Sequence, residues 1–286
     1  MNCFINHPHI DFDHIYSYEE FLECISCFGK FYAELIHIKS IGKTYCNREI
    51  PMLILGKGKK ILLFTAGVHG RETINTTVWL AMIETYARGF QYRATVCGIN
   101  MRKLFSEFSF YIVPLVNPDG YEIARKKGNE MWKGNGRNVD LNRNFPSIHW
   151  KPKNVFDYPA SERETRALMR VINCTNALAY IDYHSRGKSI FYYRASMGEE
   201  YNRRQKQMAE ELKRACYYQL EQPSHEVDKD DTGGNTVHYF SEIKKAPSFT
   251  IETVEEKATF PLSEKVLNET FMEILPTPLI LARLCH

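Results

Sequence analysis

The sequence ILLFTAGV at residues 61–68 is an unbroken apolar run, and HGRE at residues 69–72 follows it directly. A strand with one face in water alternates apolar and polar side chains. An unbroken run therefore predicts a strand that is covered on both faces, in the middle of a sheet. Because open α/β sheets bind ligands beyond the carboxyl ends of their strands, the position of HGRE favours a functional site there.

Apolar strands alternate with helical segments along most of the chain. Buried strands are predicted at residues 61–68, 110–116, 177–183, 189–193 and 248–254, an earlier strand at 33–39, and a hairpin near Tyr45 and 51–55. Helices are predicted at residues 18–32, 73–87, 199–219 and 263–275. This alternation is typical of an α/β sandwich. No Pro/Gly/Ser-rich linker divides the 286 residues, so we expect a single domain over residues 1–286.

Two polar segments between these elements have local signatures. Ser161-Glu162-Arg163-Glu164 has the spacing of a capping box, and it predicts the start of a further helix. Asn117-Pro118-Asp119-Gly120 is composed of turn-forming residues, and we expect a β-turn after a strand. The polar stretch from residue 117 to 144 is long for a compact domain, which is typical of a functional loop.

Composition argues against several classes of protein. The net charge of +3 comes from 37 basic and 34 acidic residues in mixed order, without the basic stripe of a nucleic-acid-binding protein. The longest apolar stretch, residues 61–68, is far shorter than the roughly 20 residues of a membrane-spanning helix. The first eighteen residues lack the basic start and apolar stretch of a secretory signal, so a cytoplasmic location is expected.

The eight cysteines are irregularly spaced, which disfavours a disulfide scaffold and predicts reduced thiols. Cys24 and Cys27 form a C-x-x-C, which also suits a metal or redox site. No second C-x-x-C accompanies it, and the pair lies in a predicted helix. We therefore interpret both residues as small hydrophobes on one helix face.

Side chains suited to metal chemistry stand at the ends of predicted strands. His184 ends one strand, and with His69 and Glu72 it would give zinc three protein ligands and leave one position for water. Glu252 ends another strand, and it is the candidate base that takes a proton from water and returns it to the leaving nitrogen. Each residue taken alone also has a structural explanation. His69 and Glu72 could be a chance H-x-x-E, His184 a polar residue at the sheet rim, and Glu252 a glutamate facing water from an edge strand.

Asn142 and Arg143 within the long loop could hold a carboxylate, because a guanidinium binds it bidentately and an amide adds a further donor. The competing zinc motif H-E-x-x-H is absent, since His225-Glu226-Val227-Asp228-Lys229 lacks the second histidine.

Five motifs taken in order resemble the zinc carboxypeptidases of the carboxypeptidase A-like family: GVHGRE at 67–72, NPDGY at 117–121, VDLNRNFP at 139–146, His184-Ser185, and FTIE at 249–252. The resemblance spans roughly residues 15 to 275. It implies a three-layer α/β/α sandwich around a mixed, roughly eight-stranded, twisted sheet. It also implies one Zn²⁺ per chain on His69, Glu72 and His184, with Glu252 as base and then acid. By the same resemblance, Asn142 and Arg143 grip the substrate carboxylate, and Arg71 lines that cleft.

The chain departs from the family pattern at two places. Many members have an arginine directly after a tryptophan to stabilise the oxyanion, whereas this chain has Met131-Trp132-Lys133, so Lys133 or Arg137 is the candidate. Digestive members have a substrate-capping tyrosine shortly before a paired glycine, whereas Lys229-Asp230-Asp231-Thr232 precedes Gly233-Gly234 here. Both departures argue against a digestive-type enzyme.

Within the family, WKGNGR before VDLNRNF and a paired glycine before KKAPSFTIE look most like the bacterial branch that cleaves γ-D-glutamyl-diamino acid bonds of peptidoglycan peptides. Arg186 is a candidate contact for a second carboxylate, as in diaminopimelate, and its alternative is a solvent-facing arginine. Without an activation peptide before the catalytic part, no proteolytic processing is expected.

The expected partner is thus a peptide with a free carboxylate, such as a muropeptide, rather than nucleic acid or membrane. The alternatives are a general carboxypeptidase that removes C-terminal residues, an aspartoacylase-like deacylase, and a non-catalytic zinc-binding homologue. The last usually lacks a ligand or the base, and His69, Glu72, His184 and Glu252 are all present here.

Overall fold

The structure is a computed structural model that describes residues 10–11, 13–226 and 233–286. Within these residues, ten strands form an eight-stranded sheet and a separate two-stranded hairpin. The strands are β1 (Ile36–Lys43), β2 (Glu49–Leu55), β3 (Lys60–Ala66), β4 (Thr95–Val96), β5 (Ile99–Asn100), β6 (Phe108–Val113), β7 (Ala177–Ser185), β8 (Ser189–Phe191), β9 (Gln219–Leu220) and β10 (Ser248–Thr253).

The large sheet has the order β1-β2-β6-β3-β7-β10-β8-β9. Its centre is parallel, because β3 pairs in parallel with β6 and β7, and β7 with β10. On one side of this centre, β1 and β2 form an antiparallel hairpin, and β2 pairs antiparallel with β6. On the other side, β8 pairs antiparallel with β10. The sheet is therefore mixed, with β3 in the middle as the apolar run predicts, and the carboxyl ends of β3, β7 and β10 at one edge.

Nine α-helices occur in the described part of the chain. They are α1 (Tyr18–Phe31), α2 (Ile74–Gln91), α3 (Met101–Glu107), α4 (Pro118–Ala124), α5 (Arg163–Cys174), α6 (Gly198–Cys216), α7 (Thr236–Lys244), α8 (Leu267–Ile274) and α9 (Thr277–Leu284). In α1, Ser17 and Glu20 form a reciprocal capping box that satisfies backbone donors of the first turn. No helix among the described residues is long and apolar enough to cross a membrane.

Two hydrophobic cores cover the two faces of the sheet. The larger core joins alternate side chains of β7, such as Ile181 and Tyr183, to α1, α2, α6, α8 and α9. The smaller core lies on the opposite face, where Tyr180 packs with residues of α5 and α7. Both faces are thus buried, which confirms the predicted three-layer α/β sandwich and explains the unbroken apolar strands.

Two local predictions from the sequence are wrong. The Asn117-Pro118-Asp119-Gly120 segment is not a β-turn but the start of α4, with Asn117 as N-cap and Pro118 in the first turn. The predicted box at 161–164 does not form, because α5 begins after Glu162, whose side chain makes no cap hydrogen bond.

The closing helix predicted at residues 263–275 is a short 3-10 turn followed by α8, and the further helix α9 comes after it. The alternative reading of Glu252 as an edge-strand glutamate also fails, because β10 lies between β7 and β8. Cys24 and Cys27 are half-buried free thiols on α1.

Candidate metal centre and active-site cleft

The loop after β3 is held in place by close backbone contacts among three glycines from separate motifs. A Cβ added to Gly70 would lie 2.3 Å from the carbonyl oxygen of Gly120, and one added to Gly120 would lie 2.2 Å from that of Gly134. Asn117 Nδ2 donates to the carbonyl oxygens of Val68 and Gly134 at 3.1 and 3.0 Å. The segment at 117–120 thus supports the loop that carries His69 and Glu72.

His69, Glu72 and His184 converge at the carboxyl ends of β3 and β7. The two Nδ1 atoms of the histidines are 3.2 Å apart. Glu72 Oε1 lies 2.7 Å from His69 Nδ1, and Glu72 Oε2 lies 3.1 Å from His184 Nδ1. All three side chains are buried.

This triangle of donor atoms fits a zinc ion. Tetrahedral ligands at about 2.0–2.1 Å from zinc are about 3.3 Å from one another, close to the spacing seen here. Two imidazole nitrogens and a carboxylate are also the donor types that zinc prefers, and the fourth position would face the cleft. Glu72 is kept ionised, because His69 and His184 lower its pKa to about 2 although burial alone would raise it.

A carboxylate holds the outer nitrogen of each histidine, a buried one at His184 and a half-buried one at His69. Asp182 Oδ2 lies 3.0 Å from Nε2 of His184, and Asp140 Oδ1 lies 3.2 Å from Nε2 of His69. A carboxylate behind a histidine ligand fixes its tautomer and its ring orientation, so that Nδ1 carries the lone pair toward the metal. Sequence reasoning missed both aspartates, although Asp182 stands two residues before His184 and Asp140 lies within VDLNRNF.

Glu252 ends β10 beside the metal triad. In the parallel pairing of β10 with β7 it is the register partner of His184, so both side chains project to the same face of the sheet. Burial raises the pKa of Glu252 to about 7, and the charge of Glu72 adds to that effect. A carboxyl group with such a pKa can exchange a proton with a reacting group near neutral pH.

One cleft collects eight of the residues that the sequence singles out. Its lining includes His69, Arg71, Glu72, Lys133, Asn142, Arg143, Arg186 and Glu252. His184 lies behind this lining as a buried residue. Arg71, Lys133, Arg143 and Arg186 give this cleft a cationic lining, so it suits an anionic ligand.

Arg71 and Arg186 share one aromatic support. Their guanidinium carbons lie 4.9 and 5.7 Å from the ring centroid of Phe260. The Nε atoms of both arginines are buried without a hydrogen-bond partner among the described residues. Stacking on Phe260 holds both cations in the cleft, and the unpaired donors remain for a ligand.

The two candidates for oxyanion stabilisation lie in different places. Lys133 lines the cleft, and its Nζ is 2.7 Å from Asp140 Oδ2. Arg137 does not line the cleft; its Nη1 is 3.2 Å from Glu162 Oε1, and its guanidinium lies over Tyr45. The structure therefore places Lys133, and not Arg137, in the cleft with His69 and Glu72. The cap position at residues 229–232 lies outside the described residues.

The chain matches a known protein family over most of its length. The model of the family described as zinc carboxypeptidase matches residues 22–276. Among curated relatives, γ-D-glutamyl-L-diamino acid endopeptidase 1 of Lysinibacillus sphaericus is 24% identical over 255 residues, which cover 78% of this chain and 62% of the relative. Carboxypeptidase B2 of Bos taurus is 28% identical over 209 residues, covering 63% of this chain and 47% of the relative.

The chain therefore spans about half to three fifths of the length of these relatives. Among solved structures, bovine thrombin-activatable fibrinolysis inhibitor has a TM-score of 0.80 at 23% identity, with 96% of this chain and 97% of that chain covered. Murein-tripeptide amidase MpaA of Escherichia coli O157 has a TM-score of 0.57 at 19% identity, with 85% and 91% covered. Both structural likenesses concern the fold.

Proposed function

Because the chain belongs to the zinc carboxypeptidase family, we propose that it hydrolyses an amide bond next to a free carboxylate, with γ-D-glutamyl-diaminopimelate bonds of peptidoglycan peptides as its substrate. The observation that supports this most is one cleft in which three arginines face Glu252 and the metal triad. We assign His69, Glu72 and His184 as the zinc ligands. Bound there, zinc would supply Lewis-acid polarisation of the scissile carbonyl and of a water molecule.

The protein's own side chains account for the proton transfers. Glu252 accepts the proton of the attacking water at its carboxylate and then donates it to the nitrogen of the leaving group. Its raised pKa suits both halves of this exchange, because the carboxylate and the acid are both accessible near neutral pH. Lys133 places a positive charge in the same cleft, where negative charge develops on the carbonyl oxygen.

Recognition of the free carboxylate is assigned to the other cationic residues. Arg143 and Asn142 hold the carboxylate next to the scissile bond, and Arg71 lines the same part of the cleft. Arg186 is assigned to a second carboxylate, since its buried Nε has no protein partner among the described residues. Diaminopimelate has a second carboxylate that lysine lacks, so this contact would distinguish the two.

The relatives supply the competing assignment. One relative is named for γ-D-glutamyl-L-diamino acid bonds, whereas others of similar identity are named carboxypeptidase B2 or B. A general carboxypeptidase that removes C-terminal residues from peptides is therefore the second candidate. A non-catalytic homologue is disfavoured because the metal triad and Glu252 are intact.

The test compares three substrates with the purified, zinc-loaded chain: L-Ala-γ-D-Glu-diaminopimelate, L-Ala-γ-D-Glu-L-Lys, and a series of α-linked C-terminal peptides. The proposal expects the highest kcat/KM for the diaminopimelate peptide. It also expects Arg186→Gln to lower that value by about 10-fold or more while leaving the lysine peptide nearly unchanged. Preference for the α-linked series would establish the general carboxypeptidase, and no turnover of any substrate would contradict both assignments.

A further inference from the structure

A second group of metal-ligating side chains lies outside the catalytic cleft. It consists of His149, in the loop that leads to α5, Glu226, and His238 in the first turn of α7. One potential ligand atom from each lies within 4.8 Å of the others. The two imidazole rings face each other at a centroid distance of 4.9 Å. None of these residues belongs to the five motifs that carry the family resemblance.

The histidine nitrogens of this group lack ordinary partners. His238 is 1% exposed, yet neither ring nitrogen makes a hydrogen bond among the described residues, and Nε2 of His149 is likewise buried and unpartnered. Nε2 of His238 is 3.1 Å from Glu226 Oε1, but the contact lacks hydrogen-bond geometry. Buried polar atoms are nearly always satisfied, so two imidazoles with unpartnered buried nitrogens beside the Glu226 carboxylate indicate an absent ligand.

The surroundings restrict the chemistry of that ligand. Each neutral imidazole offers a nitrogen lone pair and Glu226 offers carboxylate oxygens, which are donor types for a metal cation. A hard cation such as Ca²⁺ is disfavoured, because it requires six to eight oxygen ligands and, of these three side chains, only Glu226 supplies oxygen.

We propose that His149, Glu226 and His238 form a second binding site for a divalent transition metal, with zinc as the expected ion. Two imidazoles and one carboxylate suit zinc, and water can complete a tetrahedron. Ligands of one zinc lie about 3.3 Å apart, so the most widely spaced pair must close slightly. His149 can provide this movement because it lies in a loop rather than in a helix or strand.

Such a site would have a structural role beside the substrate-binding loop. The loop containing His149 and the segment before α7 already exchange hydrogen bonds, from Phe145 N to Gly234 O at 2.7 Å and from Thr236 N to Asn142 Oδ1 at 3.2 Å. A Cβ on Gly233 would lie 2.3 Å from the carbonyl oxygen of His149, so the two segments touch. A metal there would fix the loop that presents Asn142 and Arg143 to the cleft.

The test is the metal content of the full chain after zinc loading and removal of excess ion, measured by mass spectrometry. About two zinc ions per chain are expected for the unmodified protein, and about one for His149→Ala. The matched control is His225→Ala, which removes a neighbouring exposed histidine paired with Glu221 and should keep both ions. Unchanged zinc content in a folded His149→Ala variant would overturn the proposal.

A second measurement separates this site from the catalytic centre and does not depend on the first variant folding. The variant His69→Ala should still bind about one zinc in a calorimetric titration, and His69→Ala combined with His238→Gln should bind none. If His69→Ala alone binds none, the second site does not exist and the proposed catalytic function is untouched. If His69→Ala retains every ion of the unmodified protein, the catalytic assignment fails instead.

Discussion

Asp182 Oδ2 lies 3.0 Å from Nε2 of His184, and the two residues stand two positions apart on the same face of β7. The aspartate is fully buried, and its oxygens also accept hydrogen bonds from Thr65 and Thr236. These hydroxyl groups fix the carboxylate, and the carboxylate fixes the imidazole with Nδ1 toward Glu72. Because side chains two positions apart lie on the same face of a strand, β7 supplies both the candidate ligand His184 and the aspartate that orients it.

Replacement of this aspartate should weaken metal binding without removing a ligand. We expect Asp182→Asn to lower zinc affinity by about 10- to 100-fold, because the amide no longer orients His184 or increases its basicity. Competition with a chelator of known zinc affinity measures the change. The control Asp157→Asn alters a carboxylate in an exposed loop and should leave the affinity unchanged. Equal affinities for both variants would show that Asp182 does not support the metal centre.

Lys133 and Arg137 provide a matched pair for the oxyanion assignment. Lys133→Met should reduce kcat by about 10²- to 10³-fold, because it removes a cation that faces the developing negative charge. Arg137→Met should have little effect, since that side chain pairs with Glu162 outside the cleft. Zinc content is measured in parallel, because Lys133 also contacts Asp140. A larger loss in the Arg137 variant would reverse the assignment.

The substrate-carboxylate contact depends on the planar guanidinium of Arg143. Arg143→Lys should lower kcat/KM by about 10- to 100-fold for a substrate with a free carboxylate, because an ammonium group cannot form the bidentate pair. A substrate in which this carboxylate is converted to an amide supplies the control, and the variant should change its slow turnover little. Comparable losses of kcat/KM for both substrates would mean that Arg143 does not bind the carboxylate.

An ion pair between the half-buried Arg48 and a buried carboxylate anchors the hairpin next to the glycine contacts. Asp119 is fully buried, and its Oδ1 lies 2.8 Å from Nη1 of Arg48. Arg48→Met should destabilise the protein by about 3 kcal/mol, because the carboxylate loses its counter-charge. Lys43→Met removes an exposed pair with Glu49 and should cost less than about 1 kcal/mol. Urea unfolding gives both values, and equal losses would contradict the account.

The sequence predicted the sheet and the metal triad because both depend on short-range patterns. An unbroken apolar run marks a covered strand wherever it occurs, and the residues that follow such strands meet at one edge. His69 and His184 are 115 residues apart in the sequence, yet each is positioned by the strand at whose carboxyl end it stands. What these local patterns did not predict is the order of the strands in the sheet.

The predictions that were wrong or left open depend on contacts in the folded protein, or on residues that suit two kinds of local structure. Asn117 and Pro118 suit a turn and a helix start equally, and the helix forms because Asn117 caps it. The predicted capping box failed because Ser161, its expected N-cap, donates to Glu162 and accepts from Asn144 instead. Lys133 and Arg137 are four residues apart in one loop, so only the folded path of that loop could separate their roles.

We expect His69, Glu72 and His184 to bind one zinc ion that faces Glu252. A crystal of the zinc-loaded protein, measured on both sides of the zinc absorption edge, shows whether they do. An anomalous peak is expected about 2.0–2.1 Å from both Nδ1 atoms and about 2.0–2.2 Å from a Glu72 oxygen. A zinc-saturated crystal with no peak between these three side chains would contradict it.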